Sequence, residues 1–225
     1  MKISILTLFP KMFDGPFSES IVKRAQDKRL LEIALVDIRD FGIGRHKAVD
    51  DKPYGGGVGM VLRFDVLAKA IQSTLDDKLN ASEQKVVLLS ASGELFEQKI
   101  AKDLSNLKHL ILICGHYEGV DERILKYVDA EISIGNFVLT GGEIPAMMIA
   151  DSVVRLIPGV ITDGATETES FSNISLEHPQ YTRPDIFEGE KVPGVLLSGN
   201  HSEIAKWKEE ESVKKTKKNR KDIEI

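Results

Sequence analysis

The sequence predicts an α/β fold: a parallel sheet with helices flanking both faces. Three observations carry this. Apolar runs of strand length alternate with segments of helical spacing up to about Pro158. The runs at Lys2 to Phe9 and Leu110 to Cys114 are continuously apolar, the texture of strands covered on both faces. Successive strands also stop at small residues with polar neighbours, at Ser90 to Gly93, at Gly115 and at Gly135. Open sheets of this kind hold ligands in the crevice outside such strand ends.

Taken in order, Lys2 to Phe9 reads as the first strand. Ser18 to Arg29 is a helix with Ile21, Val22 and Ala25 at helical spacing, and Leu31 to Ile38 is the second strand. Arg39 to Met60 is a long loop. A helix from Asp65 to about Leu79 has Asp65 as its N-cap and Leu67, Ala68, Ile71 and Leu75 on one face. The strand Lys85 to Leu89 ends in the polar turn Ser90-Ala91-Ser92-Gly93, and a helix follows from Glu94 to Asn106. After the strand Leu110 to Cys114 come a short helix, Val120 to Tyr127, and the strand Ala130 to Ile134. A loop closing on Gly141 and Gly142 leads into a long helix that starts near Pro145.

Beyond Pro158 the texture changes. Residues 160–177 are polar, rich in small residues and without period, as in a linker. Residues 178–225 read as a small helical domain, with helical patterning from Ser202, a candidate N-cap, to Glu211. The run Val213 to Lys221 is basic and free of acids. Residues 1–159 then form the α/β domain.

Composition bounds the function. The chain has 225 residues, 42% hydrophobic and 29% charged, as in ordinary soluble proteins. Its single cysteine, Cys114, excludes disulfides and cysteine-based metal sites. MKISILTLFP is too short a run for a signal peptide or a span, so a cytoplasmic protein that meets no membrane is expected. The net charge of -5 gives no global attraction to nucleic acid, and any RNA contact must come from local basic clusters.

The glycine-rich strand ends could be ordinary connections or a ligand cradle. Phosphate ligands fit them poorly. There is no P-loop run, and the G-x-G of Gly57 and Gly59 has Leu62 where a third glycine should stand. The loops after Gly115 and Gly135 hold Glu118, Asp121 and Glu143 rather than a lysine or arginine aimed at a phosphate. A neutral or cationic ligand suits them better. In the long loop, Arg45, His46, Lys47, Asp50, Asp51, Tyr54 and the glycines to Gly59 read either as a solvated surface run or as a surface for a splayed nucleotide.

GRHKAVDDKPYGGGVGM, LICGHYEGVDERI, SIGNFVLTGGEIPAM, RLIPGV, PQYTRPDIFEG and SGNHSEIAKW together resemble the bacterial tRNA (guanine-N1)-methyltransferases of the SPOUT superfamily, over essentially the whole chain. The resemblance implies a C-terminal trefoil knot in the sheet domain and a homodimer whose active site lies at the subunit interface. It implies an S-adenosyl-L-methionine site made by Leu88, Leu89, Ser90 and Gly93, by Gly115, Tyr117, Glu118 and Gly119, and by Ile134, Gly135, Phe137, Leu139, Gly141 and Gly142. It implies tRNA contacts at Arg45, His46, Asp50, Tyr54, Gly59, Ser198, Asn200 and His201, with the 178–225 domain binding tRNA. The implied reaction is methylation of N1 of the guanine immediately 3′ to the anticodon, with Glu169 as general base and Arg155 as its cationic partner. A Mg2+ cofactor stays open, since the sequence neither reveals nor excludes one. The sequence departs from the family pattern at Glu169, where aspartate is usual before Ser170-Phe171 and which leaves Glu167 as the alternative base, at Val58, where proline is usual, and at His116, where arginine is commoner. A fold that keeps tRNA binding without chemistry, or a knotted methyltransferase acting on another base or ribose, are the alternative readings.

Overall fold

The computed structural model describes residues 1–172 and 175–223. Asn173 and Ile174 of the expected linker, and Glu224 and Ile225 of the tail, lie outside the described residues. The chain divides into two compact units, Met1–Ile161 and Thr162–Ile225.

In the first unit, β1 (Lys2–Thr7) leads through a 3-10 turn (Pro10–Phe13) and α1 (Asp14–Phe17) to α2 (Ser20–Asp27) and β2 (Glu32–Asp37). A second 3-10 turn (Ile38–Phe41) opens the long loop, which contains the short strands β3 (Asp50–Asp51) and β4 (Val61–Leu62). Then follow α3 (Phe64–Thr74), β5 (Gln84–Leu95), α4 (Gln98–Ser105), β6 (His109–Cys114), a 3-10 helix (Glu122–Tyr127), β7 (Ala130–Ser133) and α5 (Glu143–Val154). The five main strands form one sheet in the order β2-β1-β6-β5-β7, every neighbouring pair parallel.

Continuous apolarity is explained by two cores, one on each face. Ile3, Ile5, Leu110 and Leu112 point with Val87 and Leu89 into a core closed by α2, α4 and α5. Leu6, Ile111 and Ile113 alternate to the other face with Val86 and Leu88, under Val66, Leu67 and Ile71 of α3. The central strand β6 is buried along its whole length. α5 is apolar nearly all round: Ala146, Ile149, Ala150 and Val153 are inaccessible, while Ile144 and Met148 are exposed, so its apolar character is not confined to the buried face.

Several boundaries differ from the sequence expectation for identifiable reasons. β5 does not stop at Leu89 but runs through Ser90 to Gly93, because β7 pairs with both of its halves. Leu89 and Glu94 both oppose Ile132, with a shift in register between them. α4 accordingly starts at Gln98, not Glu94. α3 begins at Phe64, inside which Asp65 is engaged by Arg63 at 3.1 and 3.0 Å instead of serving as N-cap, and it ends at Thr74 where Leu75 turns extended. The helix expected at Val120 to Tyr127 is a 3-10 helix, capped by Asp121 accepting from the Arg123 amide at 3.0 Å.

The second unit holds the hairpin β8 (Ile186–Phe187) and β9 (Glu190–Lys191), α6 (Gly194–Leu197) and the long helix α7 (His201–Asn219). The N-cap of α7 is Asn200, whose side chain accepts from the Glu203 amide at 3.3 Å, so Ser202 lies inside the first turn. α7 also continues beyond Glu211 through most of the basic run. Its buried Thr216 accepts from the Leu176 amide at 2.9 Å, and Trp207 packs against His178 and Tyr181.

Candidate active site

The carboxyl ends of β5, β6 and β7 open onto a cleft of about 430 Å³. Its walls are three loops. Leu88, Leu89, Ser90, Ala91 and Ser92 come from β5. Gly115 to Val120 follow β6, and Ile134, Gly135 and Phe137 to Gly142 follow β7. All the predicted donor-binding residues line this cleft except Gly93. That glycine is required elsewhere: a Cβ on it would stand 2.5 Å from the main chain of Glu131 and Ile132, so it lets β5 pass close to β7.

The loops are tied together by main chain. The Gly142 amide donates to the Gly115 carbonyl at 2.8 Å, and His116 and Gly141 form an antiparallel bridge. Tyr117 holds a left-handed φ of 60°, which turns the chain sharply after β6. The long 39–60 loop is attached to the same wall, since the Glu118 amide donates to Met60 O and the Leu62 amide to Gly119 O, each at 3.0 Å. Gly59 thereby lies against the Glu118 side chain.

The polar lining is acidic. Glu118, Glu122 and Glu131 face the cleft, and no lysine or arginine is among the described lining residues. Glu131 accepts from Ser92 Oγ at 2.8 Å, and Ser92 in turn meets Ser90 Oγ at 2.8 Å. Sequence reasoning missed Glu131, the second residue of β7, and Ser92, three residues before the end of β5. Beneath the floor, Thr7 at the end of β1 donates to buried Glu143 at 2.8 Å. Burial, and then the Glu143 charge, push the Cys114 thiol well above its ordinary range, so it is a neutral packing group and not a nucleophile. Among the described residues no three His, Cys, Asp or Glu side chains gather as a metal site.

The predicted tRNA-contact residues are spread more widely. Arg45 and His46 form an exposed turn, Asp50 pairs with Leu62 across β3 and β4, and Tyr54 is 99% exposed. In the second unit, Ser198 Oγ accepts from the Asn200 amide at 3.1 Å, Asn200 caps α7, and His201 is exposed on its first turn. Arg155 is the C-cap of α5, roughly 18 Å along the helix from the glycine end by the rise of 1.5 Å per residue, and it is not among the cleft residues. Glu169 belongs to the second unit, where its carbonyl accepts from Ser172 Oγ at 2.6 Å.

Comparison with known proteins adds an independent line. The model of the family described as tRNA (Guanine-1)-methyltransferase TrmD matches residues 1–224. A protein of Dictyoglomus turgidum named tRNA (guanine-N(1)-)-methyltransferase is 54% identical over 224 residues, 99% of this chain and 89% of that protein. Proteins of the same name from Dehalococcoides mccartyi and Endomicrobium trichonymphae are 51% and 47% identical, covering 99% of this chain and 90% and 99% of their own lengths. The chain therefore belongs to the TrmD family of tRNA (guanine-1)-methyltransferases.

Proposed function

We propose that this protein transfers a methyl group from S-adenosyl-L-methionine to N1 of the guanine immediately 3′ to the anticodon of tRNA. The observation that carries the reading is the acidic, glycine-walled cleft at three parallel strand ends, in a chain whose relatives are named tRNA (guanine-N(1)-)-methyltransferase. The donor set fits the group. Apolar Leu89, Ile134, Phe137 and Leu139 suit a flat, neutral adenine, and Glu118, Glu122 and Glu131 suit a net cation where lysine would repel it. Bound there, S-adenosylmethionine would supply an electrophilic methyl on its sulfonium.

The protein's own task is to make guanine N1 a nucleophile. N1 carries a proton at neutral pH, and attack requires a base to take it while negative charge moves onto O6. Glu169 is the proposed base and Arg155 the cation that offsets the developing charge. Since Arg155 stands at the far end of α5 from the glycine loops of its own chain, the reading includes a homodimer in which partner groups complete each cleft. Exposed Phe9, Met12, Ile144 and Met148, on the 3-10 turn and the helix α5 that pack together, support a self-association surface. The main-chain ties from Gly141 and Gly142 to His116 and Gly115 support a knotted path into α5. Arg45, His46, Tyr54 and the basic end of α7 are the proposed tRNA contacts, in a cytoplasmic enzyme.

The test is single-turnover transfer of labelled methyl to a tRNA transcript with guanine at the target position, against one with adenine there. Label on the first alone supports the reading. Binding without transfer would leave a non-catalytic RNA binder, and equal label on both would indicate a different base or a ribose.

A further inference from the structure

His116 and Glu143 form an unfinished pair across the floor of the cleft. Glu143 is only 2% exposed. Its Oε1 accepts from Thr7, while its Oε2 stands 4.0 Å from Nδ1 of His116. That nitrogen is itself buried and has no hydrogen-bond partner among the described residues. A buried ring nitrogen is costly to leave unsatisfied, and the acceptor that faces it is Oε2 of the Glu143 carboxylate. The gap exceeds a normal N–H···O distance by about 1 Å. The space between them is kept by Gly141, where a Cβ would come within 2.5 Å of His116 Nδ1. The ring is held from its other sides by Phe9 at 5.1 Å and Tyr117 at 4.9 Å between ring centres. The neutral thiol of Cys114 is the further titratable group beside Glu143.

We infer that His116 and Glu143 are positioning residues, whose Nδ1–H···Oε2 hydrogen bond closes when the donor enters and draws the loop after β6 against the start of α5. His116 sits in one wall of the cleft and Glu143 begins the helix that follows the other, with Thr7 of β1 fixing the carboxylate. Closing this bond narrows the slot between the two glycine loops. The pair acts on the donor through those loops.

This inference rests on the donor occupying the cleft. The experiment is calorimetry of the full-length protein with S-adenosylmethionine and, separately, filter binding of tRNA. The variants are His116→Asn, His116→Gln, His116→Ala, Glu143→Gln, and His116→Ala combined with Glu143→Gln. Asparagine places an amide N–H near the position of Nδ1 and glutamine places it near Nε2. His116→Asn is therefore expected to hold the donor within about two-fold of the parent, while His116→Gln and His116→Ala weaken it about ten-fold, the worth of one hydrogen bond to a charged group. The double variant is expected to be no weaker than the worse single one, with tRNA affinity unmoved in all. Equal losses for asparagine and glutamine, or additive losses in the double variant, overturn the pair. Should Glu143→Gln fail to fold, the asparagine–glutamine contrast decides alone. Absence of donor binding by the unmodified protein would overturn the proposed function and this inference together.

Discussion

The substitution Gly142→Ala probes the tightest point of the cleft. A Cβ there would stand 2.6 Å from Cys114 Cα and 2.9 Å from the Gly115 amide nitrogen. Carbon contacts relax at about 3.5–4.0 Å, so the start of α5 must retreat from the end of β6 by roughly 1 Å. Both sides are main chain, and β6 is the buried centre of the sheet, so no flexible side chain can yield instead. Overpacking of this kind costs about 1–3 kcal/mol, and strain on the 2.8 Å bond from the Gly142 amide to Gly115 O adds up to about 1 kcal/mol. At about 2–4 °C per kcal/mol for a chain of this size, the melting temperature should fall by roughly 2–16 °C. The retreat also parts the two glycine loops by about an ångström, a displacement that can cost a hundredfold in rate. Thermal melting by circular dichroism and calorimetry with S-adenosylmethionine measure the two effects. Gly15→Ala, where a Cβ meets nothing within 4 Å and φ is not positive, is the control and should change neither. A Gly142→Ala protein with unaltered melting and unaltered donor affinity would refute the reasoning.

Other expectations follow from named groups. Glu169→Ala should abolish turnover and leave donor affinity as it was, because the proposed base acts on guanine; a matching loss of donor binding in calorimetry would show the residue to be misassigned. Burial, and secondarily Lys2, lower the pKa of His109 from 6.5. The unfolded chain then binds a proton that the folded one refuses, so this contribution is intact above pH 6.5 and is lost as pH falls below it. Melting of the parent between pH 7.5 and 5 should therefore drop more steeply than that of His109→Gln, and parallel curves would contradict this. Lys217 and Lys218 are exposed on the last turn of α7, and replacing both with alanine should weaken tRNA binding and flatten its salt dependence by about 1.5 in the log–log slope. Salt titrations of tRNA affinity with unchanged slope would remove this helix end from the RNA surface.

The sheet was legible because burial on both faces writes itself into consecutive residues: LILIC is apolar throughout, and in KISILT the buried polar residues Ser4 and Thr7 are each hydrogen-bonded, to His109 and Glu143. What escaped were features set by pairing across distance. Nothing local in Ser90-Ala91-Ser92-Gly93 says that a strand continues through it, since small polar residues are the ordinary mark of a turn. The continuation depends on β7 offering a second register to the same strand. Asp65 escaped for a local reason: it has the composition of a cap, but the Arg63 guanidinium two residues earlier engages its carboxylate and the helix already begins at Phe64.

The cleft divides along the same line. Its glycines announce themselves, because close main-chain approach tolerates no side chain. Gly142 beside Cys114 is the clearest case. The charged groups do not, for a carboxylate reads alike in sequence whether it is solvated, as Asp27 is beside Lys23, or sealed under a floor, as Glu143 is beneath Thr7 and His116. Thr7, His116 and Glu143 meet from three distant segments, and their separation in the chain leaves no periodicity to detect. The residues that set the donor's affinity without touching its reacting methyl are therefore those that only the assembled sheet discloses, and Glu143, with one oxygen already committed to Thr7 and the other 4.0 Å from His116 Nδ1, is the place where that distinction becomes measurable.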